Sequence, residues 1–212
     1  MSKYDQKTCL YGAGGHGRVV AAQMRAAGYS ALSFADKNRT IGELVDGVPT
    51  TYSDISDIPR DVNVIASIGD NKARKIAFEN RRDASGATTY FMCPHATHHS
   101  EISIGDGSMI LSGAVLNPGS RIGAGVIVNS SAVIEHDCQI GNYCHISPNA
   151  TLAGGVTLHE GVWVGAGAVV IQGLSIAPWT IIGAGAVVTR DIKDTGTYIG
   201  APARLISKDI QA

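Results

Sequence analysis

From Ile104 onward an aliphatic residue recurs at every sixth position. The column reads Ile104, Ile110, Leu116, Ile122, Val128, Ile134, Ile140, Ile146, Leu152, Leu158, Val164, Val170, Ile176, Ile182 and Val188, fifteen steps without an insertion. Two positions before each stands a mostly small residue, among them Ala114, Ser120, Ala132, Cys138, Cys144, Ala150, Ala168, Thr180 and Ala186. Three positions after it, glycine recurs at 107, 113, 119, 125, 155, 161, 167, 173 and 185. A period of six fits neither the helical nor the strand repeat. It predicts a parallel β-helix in which each hexad is one short strand and a corner, with glycine supplying the turning backbone. Three hexads per coil would give five coils, a prism roughly 24 Å tall at a strand spacing of ~4.8 Å.

The first ninety residues follow another pattern. Apolar runs at Thr8–Tyr11, Ala31–Ala35, Val62–Ile68 and Thr88–Met92 predict strands, and Val19–Ala27 and Lys72–Arg82 predict helices. That βαβ order implies a small parallel sheet covered by helices. A loop rich in His and Pro, Cys93 to Ser100, marks the boundary. The expected domains are residues 1–93, a small βαβ unit, and residues 94–212, the β-helix with a short tail.

Charge narrows the partners. Seventeen basic and eighteen acidic residues nearly cancel, which leaves no global attraction for nucleic acid or an anionic membrane. The opening MSKYDQKTCLYG lacks an apolar signal region, and the four cysteines form no CxxC pair, so the chain reads as cytoplasmic with reduced thiols. Residues 161–189 are uncharged, but their apolar positions recur every six residues and glycine is frequent, so they read as repeat rather than membrane span.

In a solenoid the polar departures carry information. Glu135, His136 and Asp137 are consecutive, Asn129 lies seven residues before His136, and His145 follows nine after it. A neutral imidazole accepts a proton near physiological pH, and an adjacent carboxylate can hold its tautomer. The same residues could equally be corner residues touching water. A metal reading finds no compact His and carboxylate spacing to support it, and Cys138 and Cys144 fall in the small-residue column. Near the N-terminus, Gly12-Ala13-Gly14-Gly15-His16-Gly17 follows a strand and opens a helix, with Asp36 ending the next strand. Such a loop lets backbone N–H groups approach a diphosphate, and the acid can accept from a ribose hydroxyl or a base. The alternative is a tight turn with no ligand.

Four segments together, YGAGGHG (11–17), SIGDN (67–71), NSSAVIEHDCQIGNYCHIS (129–147) and IGAPA (199–203), resemble the hexapeptide-repeat sugar acetyltransferases of the sialic acid O-acetyltransferase-like family. Within it they are most similar to the PglD-type N-acetyltransferases that act on UDP-4-amino sugars in bacillosamine synthesis. The resemblance implies a Rossmann-like half domain and a left-handed β-helix. It further implies a homotrimer with active sites between subunits and acetyl-CoA as co-substrate, without a metal. It makes His136 the general base and Asp137, one methylene shorter than the family's glutamate, its partner, with Glu135, Asn129 and His145 around them. Gly15, His16, Gly17, Asp36, Gly69 and Asn71 fall where the family binds the nucleotide sugar, and Gly154, Ala166 and Ala184 where it meets coenzyme A.

The reaction so implied is direct acetyl transfer to the 4-amino group of a nucleotide-linked 4-amino-4,6-dideoxy sugar. A sugar hydroxyl, as in sialic acid O-acetylation, is the alternative acceptor. A non-catalytic nucleotide-binding trimer is the alternative of another class. UDP, dTDP and GDP stay open, as does the role of Arg204 after IGAPA.

Overall fold

The computed structural model describes residues 5–83, 88–99 and 101–208. Met1–Tyr4, Ser100 at the end of the boundary loop, and residues 209–212 of the expected second domain lie outside them. The chain opens with β1 (Thr8–Tyr11), α1 (Gly15–Ala26), β2 (Leu32–Ala35), β3 (Leu44–Val45), β4 (Val48–Tyr52), β5 (Asn63–Ala66) and α2 (Asn71–Asp83). The sheet order is β3-β4-β2-β1-β5, parallel throughout except for the β3–β4 hairpin. That hairpin is absent from the sequence reading. Its signal was there in Asp46-Gly47, both in left-handed backbone, the turn that matches the twist of two antiparallel strands.

Helix α1 buries Gly17, Val20, Ala21 and Met24, one stripe at helical spacing. It begins at Gly15, four residues earlier than expected, and ends where Gly28 takes a left-handed conformation and donates to the Arg25 carbonyl. Helix α2 buries Asn71, Arg74, Ala77, Phe78 and Arg81. Two arginines on a buried face need acceptors, and Arg81 finds the carbonyls of Ile58, Pro59 and Val62 at 2.6–2.9 Å.

The rest of the chain is a parallel β-helix, ended by an antiparallel pair of Thr197–Ile199 with Arg204–Ser207. Each two-residue strand pairs with one eighteen residues on, as Ile127 with His145 and His145 with Trp163. Three sheets of six, five and eight strands form its faces. Along each strand the sixth-position aliphatic points inward, and Leu116, Ile134, Leu152 and Val170 are fully buried with the small column beside them. The preceding residue points outward.

The prism starts earlier than the aliphatic column indicated. The expected strand at Thr88–Met92 is not part of the α/β sheet beyond one bridge from Thr88 to Val64. Its end, β6 (Phe91–Met92), pairs with Met109–Ile110 and heads the eight-stranded face, and Thr97–His98 heads the six-stranded one. The hexad register therefore runs back through His98 to Met92, hidden in the sequence because His98 interrupts the aliphatic series. The two units also share a core: Leu10, Val20, Met24 and Phe34 pack with Phe91, Met109, Leu111 and Ile127 on the outside of the eight-stranded face. Among the described residues no helix is long and apolar enough to cross a membrane.

Leu152→Ala should cost about 2–5 kcal/mol by chemical denaturation at fixed chain concentration, because the prism cannot collapse around the void. Thr157→Ala, on the outer side of its strand, should stay within about 0.5 kcal/mol.

Candidate active site

The glycine loop shapes a cavity of about 310 Å³ at the end of β1 and β2, lined by Gly14, His16, Asp36, Asn38, Ser67 and Gly69 among others. At Gly12 the backbone is left-handed, and a side chain there would press on Ile68. At Gly17 a Cβ would collide with the Gly12 carbonyl, so only glycine lets α1 lie this close to β1. The α1 N-terminus has no side-chain cap and no acid in its first turn, leaving its positive end and free N–H groups for an anion. Asp36 is already engaged: its carboxylate accepts from the Ala13 and Asn38 amides, each at 2.8 Å. It therefore holds the loop in shape and offers its remaining lone pairs to the cavity.

His16 forms the wall between this cavity and the prism. Its ring lies 6.2 Å from that of His145, which stands on the outer side of the strand His145–Ile146 in the eight-stranded face. His145 stacks on Trp163, one coil on, at 5.6 Å and nearly parallel. The Trp163 indole N–H donates to Ser147 Oγ at 2.9 Å. The Asn129 amide lies 3.1 Å from His145 Nε2; with the amide donating, that nitrogen is the acceptor and the proton sits on Nδ1. Both imidazoles are held neutral. Burial, then the Arg74 charge, then His16, pushes His145 down to about 3, opposed by the Gly69 backbone. Burial, then Arg74, pushes His16 down to about 4.

His136 and Asp137 stand elsewhere, at the corner between the six- and five-stranded faces. His136 Nδ1 donates to Asp137 Oδ2 at 2.8 Å, and the two side chains are 64% and 72% exposed. The shorter carboxylate therefore does reach the imidazole. This arrangement leaves Nε2 as the free acceptor. Asp137 occupies the hexad position that is usually glycine and takes its left-handed backbone, with φ of 59°. The imidazole lies over Gly154 in the next coil, where a Cβ would come within 2.5 Å of Nε2. Glu135 makes a different contribution: its backbone carbonyl accepts from buried Ser120 Oγ at 2.7 Å.

The expected site residues thus fall into separate groups. Gly15, His16, Gly17, Asp36 and Gly69 gather at the glycine-loop cavity or build its walls, with His145 and Asn129 beyond His16. His136, Asp137 and Gly154 share one corner, while Ala166 and Ala184 stack at another, both exposed. Asn71 is buried at the seam between the two units, donating to the Gly161 carbonyl at 3.0 Å and accepting from Arg74. Cys138 and Cys144 lie in the core, their thiols pushed up by burial, Cys144 to about 12. Sequence reasoning passed over Arg74, Trp163 and Ser147. For Arg74 the signal was a charge on the apolar stripe of a helix.

Both neutral histidines link stability to pH. The unfolded chain protonates them near pH 6.5, whereas the fold keeps them neutral until about pH 4 for His16 and about 3 for His145. Their contribution is therefore complete above the unfolded value and lost as pH falls toward the folded ones. Urea denaturation should show about 2 kcal/mol lost per imidazole between pH 7 and pH 5. In His145→Asn the part of that slope due to His145 should vanish.

Two family matches cover the chain. The PglD N-terminal domain family matches residues 7–80. The bacterial transferase hexapeptide family (six repeats) matches residues 101–136, 119–154 and 155–190. A search of curated proteins found no match. Among solved structures, the acetyltransferase domain of PglB from Neisseria gonorrhoeae is 35% identical with a TM-score of 0.89, covering 95% of this chain and 100% of that one. The same domain in complex with acetyl coenzyme A matches at 34% identity, again with a TM-score of 0.89 and the same coverage. PerB from Caulobacter crescentus, in complex with CoA and GDP-perosamine, is 33% identical with a TM-score of 0.88, covering 95% and 97%. A PglD-type half domain that carries the glycine-loop cavity, joined to a hexapeptide prism that carries the His136–Asp137 pair, places this chain in the PglD-like family of hexapeptide-repeat, acetyl-CoA-dependent sugar N-acetyltransferases.

Proposed function

We propose that this protein moves the acetyl group of acetyl-CoA onto the 4-amino group of a nucleotide-linked 4-amino-4,6-dideoxy sugar, as a cytoplasmic homotrimer. The observation that carries the reading is the His136–Asp137 pair, whose geometry leaves Nε2 as an acceptor above Gly154. PerB, solved with CoA and GDP-perosamine, supports the substrate class, a nucleoside-diphosphate amino sugar.

The amine attacks the thioester carbonyl in its neutral form. As the C–N bond forms, His136 takes the amine proton, and the Asp137 carboxylate stabilises the resulting imidazolium. A backbone N–H of the coil under the imidazole would hold the oxyanion. Collapse breaks the C–S bond, and the thiolate leaves with the proton that His136 received. The products are the amide and free CoA thiol, with no acyl-enzyme.

The topology of the single chain supports a site shared between chains. The α/β unit and His145 occupy the eight-stranded face, while His136 stands at the corner opposite it, between the other two faces. Within one chain, His136 and the cavity thus stand on different sides of the prism. The six-stranded face next to that corner turns half-buried Val115, Val133, Thr151, Val169 and Val187 outward, a mostly apolar strip that a second copy would cover. Gly154 on one side of this face and Ala166 and Ala184 on the other then line the seam where acetyl-CoA would lie.

Thiol release from acetyl-CoA should be seen with one member of a panel of UDP-, dTDP- and GDP-linked 4-amino sugars and not with sialic acid; turnover with sialic acid alone would overturn N-acetylation. His136→Ala should lower kcat by about 10²–10⁴-fold with nucleotide-sugar affinity unchanged. Wild-type turnover in that variant would remove the base. Co-assembly of His136→Ala chains with cavity-blocked Gly69→Trp chains should restore activity at about a quarter of the sites. No restoration would refute a shared site.

A further inference from the structure

Arg74 has no exposed surface and makes no hydrogen bond to a carboxylate, yet every direction of its guanidinium is used. Nη1 donates to the carbonyls of Ile68 and Gly69 at 2.9 and 3.0 Å, in the loop that floors the cavity. Nε donates to the Gly125 carbonyl at 2.7 Å, and Nη2 to those of Tyr143 and Cys144 at 2.8 and 3.3 Å. Nη2 also meets Asn71 Oδ1 at 2.7 Å, and Asn71 in turn donates to Gly161.

The acceptors form a series. Gly125, Tyr143 and Gly161 are stacked residues of one prism corner, each in left-handed backbone. The β-helix ladder uses their N–H groups, donated to Asp106, Ala124 and Asn142, but takes no backbone bond at their carbonyls. A column of acceptors is thus left at this corner, and a buried carbonyl without a donor costs about 1–3 kcal/mol. Arg74 and Asn71 fill three successive places in it. The planar, forked guanidinium can do this while also gripping the cavity loop, which an ammonium cannot. The residue after Cys144 is His145, and the ring that faces His145 is His16 of the glycine loop.

We propose that Arg74 is a positioning residue for acetyl transfer, locking the 68–70 loop beneath the bound sugar to the prism strand that begins at His145. The lock sets the distance between the nucleotide-sugar cavity and the prism, so a bound sugar presents its amine in a fixed register. The role rests on the reaction proposed above. Arg74 also faces both imidazoles with its charge, with Cys144, Asp70 and Tyr143 the titratable groups acting on Arg74 itself.

The test uses the full-length assembled protein and the variants Arg74→Lys and Arg74→Met. Hydrogen exchange by mass spectrometry should show 68–70 and 143–146 losing protection together, with the coils at 169–188 unchanged. Loosening of only one segment, or an even rise over all coils, overturns the lock. With the active nucleotide sugar, kcat should fall by about tenfold in Arg74→Lys and about 10²-fold in Arg74→Met, while KM for acetyl-CoA stays within about threefold. Unchanged kcat in folded variants that have lost the coupled protection overturns the positioning role. If the parent turns over no amino sugar in the panel, the proposed reaction fails, and the exchange pattern still decides the lock.

Discussion

A prism made of six-residue steps turns a corner after every two-residue strand, and each corner puts one residue into left-handed backbone. Glycine meets that demand at most corners. Where a side chain takes the place, the strain is about 1–2 kcal/mol, less for Asp and Asn. The described corners with such side chains are Glu101, Ser131, Asp137, Tyr143, Asn149 and Trp179. Several of them do identifiable work. Asp137 holds the imidazole of its neighbour, and the Tyr143 ring meets Phe78 edge-on and accepts Lys75 over its face. Trp179 lies over Gly161 and shares the same lysine. The positions that break the glycine pattern thus build the candidate base at one corner and dock helix α2 at another.

The corner constraint also explains the seam between the two units. Left-handed corner residues spend their N–H groups on the coil before and leave carbonyls outside the ladder, so one face of the prism offers a row of acceptors to whatever packs there. Helix α2 answers with Asn71 and Arg74, and the α/β sheet answers with apolar contact to Met109 and Ile127. Polar and apolar parts of the seam act together. The first fixes register, because a guanidinium fork tolerates little sliding, and the second supplies driving force.

Three histidines in this region have different electrostatic lives. His16 and His145 are buried beside a cation and stay neutral far below their ordinary range, and His145 meets the Asn129 amide. His136 is exposed and paired with a carboxylate. Burial, the Arg74 charge and the Asp137 carboxylate separate these environments, since all three imidazoles are chemically the same.

The sequence by itself determined the β-helix, because a fifteen-step aliphatic column with glycine three residues on can satisfy only one repeating backbone. It also marked the glycine loop and the His136–Asp137 pair, since adjacency along the chain is already proximity. It left undecided which polar residues share a space. His145 stands nine residues from His136 and reads as its companion, yet nine residues is half a coil, and the chain carries the two to opposite sides of the prism. Asn71 reads as a ligand group within a family motif and proves to be buried against the Gly161 carbonyl. Arg74 shows only a charge on an apolar helical stripe, because its acceptors in the prism lie 51 to 70 residues away and belong to backbone. Only tertiary structure could assemble that contact: backbone carbonyls have no letter in a sequence, and the corner that exposes them exists only once the coils are stacked.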